Sequence, residues 1–207
     1  MNEPAIVLHG TVFSGHTHRV ELLLRMLGLD YRFVQAGADR RRTDEFRALN
    51  PLAQIPVLED DGLVLADSNA IMVYLVKRYA PKSSWLPEEP VAASRLQRWL
   101  SIAAGEVMYG PATARMVAQF AMEGDPVRAK VIAGRLLAFM EKHLAEHDYL
   151  AASHPTIADL ACYSYVAHAP EGGNGLDAYP QVRAWLKRVE ALPNFKPMPP
   201  RELPKAS

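Results

Sequence analysis

The sequence has few of the features that define several large classes of protein. One cysteine, Cys162, in 207 residues rules out a disulfide framework and favours a reducing, cytoplasmic location. Lys plus Arg and Asp plus Glu both total 23, and this zero net charge argues against general nucleic-acid or membrane-surface binding. No apolar run approaches the roughly 18 residues of a membrane span, and the first residues lack the basic segment of an export signal. The 49% of apolar residues is typical of a soluble globular protein.

Residues 1–80 alternate between strand and helix patterns. The predicted strands are "AIVLHG", "YRFVQA", "IPVLED" and "LVLAD", and the predicted helices are "HRVELLLRMLGL" and "SNAIMVYLVKRYA". The first strand, helix and strand predict a right-handed crossover with parallel strands, and Asp61-Gly62 predicts a tight hairpin. The order β-α-β followed by β-β-α indicates a small mixed sheet covered by helices.

The composition changes after residue 80. Residues 81–90, "PKSSWLPEEP", contain three prolines and no helical period, so we interpret them as a linker. Residues 91–120 then predict a long helix kinked at Gly110-Pro111. Further helices are predicted at 127–147, in the strongly apolar "HPTIADLACYSYVAHA" and in "YPQVRAWLKRVEAL", before a proline-rich tail. In the apolar helix, Thr156 and Asp159 have the spacing of a capping box.

The stretch "NPLAQIPVLEDDGLVLADSNAI", residues 50–71, places a proline at the start of a predicted strand. A strand tolerates proline poorly because it lacks the N–H donor, but a cis bond before Pro56 would turn the Ile55 backbone outward, where a peptide ligand could pair with it. Asp67 suits an ammonium group, and Ser68 with the N–H groups of a helix start suits a carboxylate. The implied ligand is a small peptide with a free amino-acid end.

These motifs, together with "TIADL" and "YPQVRAWLKRVEALPNF", resemble those of the cytosolic glutathione S-transferases over essentially the whole chain. The resemblance implies an α/β thioredoxin-like domain at 1–80, a linker at 81–90 and an all-α domain at 91–207. It implies a transferase with glutathione as co-substrate, no permanently bound cofactor and a homodimeric assembly. It also implies that Ile55 binds the cysteinyl backbone, and that Asp67 and Ser68 bind the γ-glutamyl end, with Gln54 beside them.

The resemblance is to serine-type, theta- and phi-like members, because Ser14 has their register and residues 1–30 contain no Tyr or Cys. A thiol titrates near 8.5, and lowering that pKa by about two units requires about 2.7 kcal/mol. A hydrogen bond to a charged group supplies about 1.5–3 kcal/mol and a helix N-terminus about 0.3–1 kcal/mol. Ser14 is therefore expected to donate to the thiolate of glutathione, which is the nucleophile. The alternatives are that Ser14 is only a helix cap, or that Thr11 serves instead.

Other candidates have ordinary structural alternatives. Arg41 or Arg42 falls where serine-type members bind the glycyl carboxylate, although an arginine run is also typical of a solvated surface. The residues expected in the electrophile pocket, which could equally be core, are Val12, Phe13, Met108, Ala112, Arg115, Gln119 and Met198. The histidines at 9, 16 and 18 match no metal-ligand spacing, so no metal site is expected. Cys162 is expected to be structural.

Three functions remain open from the sequence alone. The first is transfer of glutathione to a small hydrophobic electrophile. The second is a glutathione-dependent peroxidase or disulfide reductase, in which glutathione supplies both thiols because residues 1–80 contain no cysteine. The third is a transferase-like protein-interaction domain, which the retained Ser14, Gln54, Asp67 and Ser68 count against.

Overall fold

The computed structural model describes residues 5–201, which form two compact units. The first unit contains the described residues up to Ser83 together with Pro193–Met198, and the second contains Ser84–Leu192 and the described residues from Pro199 onward. None of the helices within residues 5–201 combines the length and hydropathy that a membrane span needs.

The first unit is built on a four-stranded mixed sheet. Its elements are β1 (Ile6–Gly10), α1 (Gly15–Met26), β2 (Tyr31–Gln35), α2 (Ala38–Arg41), α3 (Asp44–Leu49), β3 (Val57–Asp60), β4 (Leu63–Ala66) and α4 (Ser68–Tyr79). The strand order is β2-β1-β3-β4, with β1 parallel to β2 and antiparallel to β3, and β3 antiparallel to β4. The predicted thioredoxin-like arrangement is confirmed.

The central strand β1 and helix α1 form the core that positions the first loop. All five residues of β1 are buried, as expected for a strand covered on both faces. A Cβ atom at Gly10 would overlap the Thr17 side chain, so glycine permits the start of α1 to pack against the end of β1. This close approach fixes the two ends of the loop that carries Ser14.

Every regular element of the second unit within residues 84–192 is a helix or a helical turn. Its elements are α5 (Pro90–Ala104), a π-helical turn (Met108–Ala112), α6 (Thr113–Phe120), α7 (Pro126–Leu144), α8 (Ile157–Ala167), a 3-10 turn (Ala169–Gly172) and α9 (Pro180–Glu190). The predicted break at Gly110-Pro111 is the π-helical turn, as expected where proline lacks the N–H of a regular helix. A side chain at Gly110 would lie 2.9 Å from the Ala133 backbone nitrogen, so glycine allows α7 to approach.

Helix α8 is the buried helix that the sequence predicts. Ten of its eleven residues are buried, and the capping box between Thr156 and Asp159 is present. The Asp159 carboxylate also accepts hydrogen bonds from the Leu150 backbone N–H at 3.0 Å and from Trp185 Nε1 at 2.9 Å.

The structure differs from the sequence-based expectation at three places. Helices α2 and α3 were not predicted. Strand β3 begins at Val57 rather than at Ile55, so Pro56 lies just before the ladder. Residues Pro193–Met198 belong to the first unit, although the sequence assigns the whole tail to the helical domain.

Candidate functional site

Ser14 caps the first turn of α1. Its backbone is extended, and its Oγ accepts a hydrogen bond from the Thr17 N–H at 3.3 Å. Capping uses the hydroxyl oxygen as an acceptor, whereas donation to a ligand would use the hydroxyl hydrogen. The two roles foreseen for Ser14 are therefore compatible in one side chain, which is half-buried.

Asp67 caps α4 in an unusual backbone conformation. Its φ is 70°, a region that few residues other than glycine adopt, and such residues cluster at ligand sites. Its Oδ1 accepts hydrogen bonds from the N–H groups of Asn69 and Ala70, both at 2.9 Å. Asp67 is exposed, so its carboxylate charge is accessible to a cation in solution.

Ser68, the first residue of α4, is buried and contacts two side chains of α1. Arg19, which is 1% exposed, donates to Ser68 Oγ at 3.3 Å and to Asn69 Oδ1 at 3.2 Å. His16 Nδ1 lies 3.4 Å from Ser68 Oγ. Burial, and then the charge of Arg19, lower the pKa of His16 from 6.5 to about 3, so the ring is neutral near pH 7. These contacts bring the N-terminal ends of α1 and α4 together.

The loop before β3 is held by a side chain that the sequence analysis does not single out. Asn50 donates through Nδ2 to the Gln54 carbonyl at 3.0 Å, and its Oδ1 accepts from the Leu52 N–H at 3.1 Å. The Ile55–Pro56 peptide bond is cis, as expected. Pro56 is buried, Ile55 is half-buried and Gln54 is exposed. The Ile55 backbone lies just outside the ladder that starts at Val57.

The two arginines expected to bind the glycyl carboxylate differ in environment. Arg41 ends α2 and is half-buried, whereas Arg42 is exposed and its guanidinium lies 3.7 Å from Asp39. In the loop before Ser14, Val12 is 44% exposed and Phe13 is half-buried.

The helical candidates for the electrophile pocket are mostly engaged inside the second unit. Arg115 donates through Nε to Glu171 Oε2 at 2.6 Å, and Gln119 donates through Nε2 to the Glu171 carbonyl at 3.0 Å. Both side chains are buried, as is Ala112, so these contacts favour the structural alternative for the three residues. Met108 is half-buried. Met198 is buried in the first unit.

The three early histidines have separate partners. His9 pairs with Glu59 at 2.5 Å, His16 lies against Ser68, and His18 Nε2 lies 2.8 Å from the Lys196 carbonyl oxygen. Over residues 5–201, no group of three or more His, Cys, Asp or Glu side chains is placed to hold a metal ion.

Comparison with known proteins gives consistent matches to one family. The model of the glutathione S-transferase N-terminal domain matches residues 8–83, and that of the C-terminal domain matches residues 117–197. Glutathione S-transferase 3 of Zea mays is 30% identical over 93% of this chain and 95% of its own length. A glutathione S-transferase structure from Pseudomonas fluorescens has a TM-score of 0.88 and 32% identity, over 94% of this chain and 98% of that one. A theta class glutathione S-transferase from Xanthomonas axonopodis pv. citri, solved with glutathione bound, has a TM-score of 0.82 and 26% identity, over 92% of this chain and 95% of that one.

Proposed function

This chain belongs to the glutathione S-transferase family and is a glutathione transferase. We propose that its Ser14 hydroxyl activates the thiol of glutathione for attack on small hydrophobic electrophiles. The observation that carries this proposal is the geometry at the start of α1. Ser14 Oγ accepts from the Thr17 N–H, which leaves its hydroxyl hydrogen for an anionic sulfur next to a helix N-terminus.

The proposed chemistry follows from these donors. Glutathione loses its thiol proton to solvent, and the thiolate accepts a hydrogen bond from the Ser14 hydroxyl. The sulfur then forms a bond to the electrophilic carbon, by addition or with departure of a leaving group. His16 is a poor candidate for the base, because a group with a pKa of about 3 has little tendency to take a proton from a thiol.

The glutathione backbone is assigned to the two neighbouring loops. Asp67 binds the α-ammonium group, and the Ser68 N–H and hydroxyl bind the α-carboxylate of the γ-glutamyl end, because Asp67 already takes the N–H groups of Asn69 and Ala70. The Ile55 backbone binds the cysteinyl residue, with Gln54 beside it.

The glycyl carboxylate and the electrophile complete the proposed site. Arg41 suits the glycyl carboxylate better than Arg42, since Arg42 lies beside Asp39. Val12 and Phe13 supply apolar surface next to Ser14. Met198 is a weaker candidate for lining the electrophile pocket, because only 2% of it is exposed.

The proposed role of Ser14 is tested by replacing it with alanine. The ultraviolet signal of the thiolate in the binary complex should titrate about one to two pH units higher, given about 1.5–3 kcal/mol for a hydrogen bond to a charged group. Turnover should fall, while the dissociation constant for glutathione, measured below the pKa of the bound thiol, should change little because the peptide contacts lie elsewhere.

Thr11→Ala tests the alternative, since Thr11 lies in the same loop and its carbonyl accepts from the Ser14 N–H at 3.1 Å. A titration unchanged in Ser14→Ala but shifted in Thr11→Ala would move the role to Thr11. Assaying the wild type with an aryl halide, a hydroperoxide and a mixed disulfide separates transferase activity from the peroxidase or reductase alternative.

We also propose that the protein is a cytoplasmic homodimer. The single cysteine, which is buried, suits a reducing compartment. In the second unit, a groove of about 560 Å³ lies between α5 and α7. Its lining includes Tyr109, which is 63% exposed, together with the charged residues Arg98, Arg135 and Glu106. Charges of both signs on one apolar face suit contact with an identical face.

A further inference from the structure

We propose that Arg19 is a positioning residue for glutathione, which holds Ser68 and Asn69 so that the start of α4 receives the α-carboxylate of the γ-glutamyl group. This inference rests on the proposed role of Ser68. Arg19 is not expected to touch the ligand; it acts through two residues of α4.

The geometry gives Arg19 a defined effect on the Ser68 hydroxyl. Arg19 Nη1 donates to Ser68 Oγ at 3.3 Å, so the oxygen serves as an acceptor on the side that faces α1. The hydroxyl hydrogen is then directed elsewhere, to His16 Nδ1 at 3.4 Å when the ring proton is on Nε2, or to a bound carboxylate. Arg19 therefore sets Ser68 to be a donor for the ligand.

The second contact of Arg19 fixes the neighbouring residue. The same nitrogen lies 3.2 Å from Asn69 Oδ1, and the Asn69 backbone N–H donates to Asp67. One buried guanidinium thus contacts the two residues that follow the cap of α4. Both contacts come from Nη1, whose two hydrogens are fixed in the guanidinium plane, whereas the ammonium of lysine rotates freely.

The charge of Arg19 adds an electrostatic effect to the geometric one. Arginine stays protonated at all ordinary pH values, and with 1% of the residue exposed its charge is weakly screened. The charge of Arg19 acts on neighbouring groups, since it contributes to the lowered pKa of His16. A positive charge near the N-terminal end of α4 favours an anion there, in the same sense as the helix dipole.

A merely structural role for Arg19 would have a different signature. If Arg19 only joined α1 to α4, its loss would weaken every ligand of the site by a similar factor. If it prepares the site for the α-carboxylate, its loss should weaken glutathione and spare a ligand that lacks that carboxylate.

The test uses titration calorimetry with the full chain and two ligands. These are glutathione and 4-aminobutanoyl-cysteinylglycine, which is glutathione without the γ-glutamyl α-carboxylate. Arg19→Met should weaken glutathione binding by about tenfold, the equivalent of one good hydrogen bond to a charged group, and weaken the analogue by less than about twofold. Arg19→Lys, which keeps the charge and loses the fixed geometry of the contact, should fall between wild type and Arg19→Met.

Two further variants sharpen the result. Ser68→Ala combined with Arg19→Met should weaken glutathione by less than the product of the two single effects, because Arg19 acts through Ser68. Arg25→Met, on the same helix but bonded to the Asn194 carbonyl, should leave both dissociation constants unchanged.

Equal losses for the two ligands, or no loss for glutathione, would overturn the proposal. Arg19→Lys provides the same comparison if Arg19→Met does not fold. Failure of wild-type protein to bind glutathione would instead overturn the proposed function, so the two failures are distinguishable.

Discussion

The Asp67 side chain has a capping role and a proposed binding role. Its Oδ1 caps α4 through the N–H groups of Asn69 and Ala70, while the exposed carboxylate can meet an ammonium group. A φ of 70° costs a residue such as Asp67 on the order of 1–3 kcal/mol. Such a conformation is kept only where the surrounding structure imposes it. The position therefore matters for both the helix and the proposed ligand.

Substituting Asp67 by two residues separates these roles. Asp67→Asn keeps a good capping group and removes the charge, so the free energy of unfolding should change by less than about 0.5 kcal/mol while the KM for glutathione rises several-fold. Asp67→Ala should raise the KM similarly and also lose about 1 kcal/mol of stability. Steady-state kinetics and urea unfolding check the two effects, and an unchanged KM in both variants would remove Asp67 from the site.

At the scale of elements, the four strands and the long helices were predictable, and the two shortest helices, α2 and α3, were not. The pattern in "HRVELLLRMLGL" predicted α1, and ten buried residues in α8 match its apolar sequence. Helices α2 and α3 have four and six residues, too few to show a helical period, and Phe46 is the one residue of the two that is buried. A local signal did exist for α3, since Thr43 caps it and Asp44 and Glu45 occupy its first turn.

The candidate site was predictable where a short motif carries it and hidden where distant elements meet. Pro56, Asp67 and Ser68 stood out from the local pattern of the strand start and the helix start, and Ser14 stood out from its register in the resemblance to serine-type members. Arg19 contacts Ser68 across 49 positions of the sequence, and no local pattern indicates such a contact. Asn50 was missed for another reason: asparagine before proline is typical of any turn, and its bond to Gln54 depends on the loop geometry.

Replacing Asp159, which links α8 to its neighbouring elements, should lower the free energy of unfolding by more than the loss of an ordinary N-cap does. Its two oxygens accept from Leu150, Trp185 and both the N–H and the hydroxyl of Thr156. Asp159→Ala would leave these buried donors without an acceptor, so the free energy of unfolding should fall by about 3 kcal/mol or more. Urea unfolding measures this fall.

Asp125 provides the matched control for that prediction. It caps α7 by accepting from the N–H groups of Val127 and Arg128, but it is exposed. Asp125→Ala should cost about 1 kcal/mol, the ordinary value of an N-cap. Similar losses in the two variants would show that the Asp159 network contributes no more than a simple cap.

At the scale of the whole molecule, the first unit is completed by a late segment of the chain. After α9, residues Pro193–Met198 pack with the first unit. Lys196 contacts two residues of α1: its Nζ lies 2.8 Å from Glu21 Oε1, and its carbonyl oxygen lies 2.8 Å from His18 Nε2. Arg25 also donates to the Asn194 carbonyl at 3.2 Å. Stability of the first unit therefore depends on residues nearly two hundred positions from its start.

Glu21 connects this late segment to the stability of the protein at acid pH. Burial alone would raise the pKa of its carboxyl, but hydrogen bonds from Lys196 and Tyr31 and the nearby charges of Lys196 and His18 outweigh burial, so the pKa is lowered from 4.5. A carboxyl with a lowered pKa in the folded state adds stability above its unfolded pKa. That stability is lost as the pH falls below 4.5 and through the folded value.

Comparing wild type with Glu21→Gln should reveal this dependence. Near pH 7 the variant should be less stable by about 1 kcal/mol, a modest value because Lys196 is half-exposed and its charge is screened. The difference should shrink between about pH 5 and pH 3, as urea unfolding at several pH values would show. In the double variant with Lys196→Met, the two losses should be less than additive near pH 7 and should approach additivity in acid, because the charge that couples them has been neutralised. Parallel stability profiles for wild type and Glu21→Gln over the whole range would mean that Glu21 does not anchor the late segment by its charge.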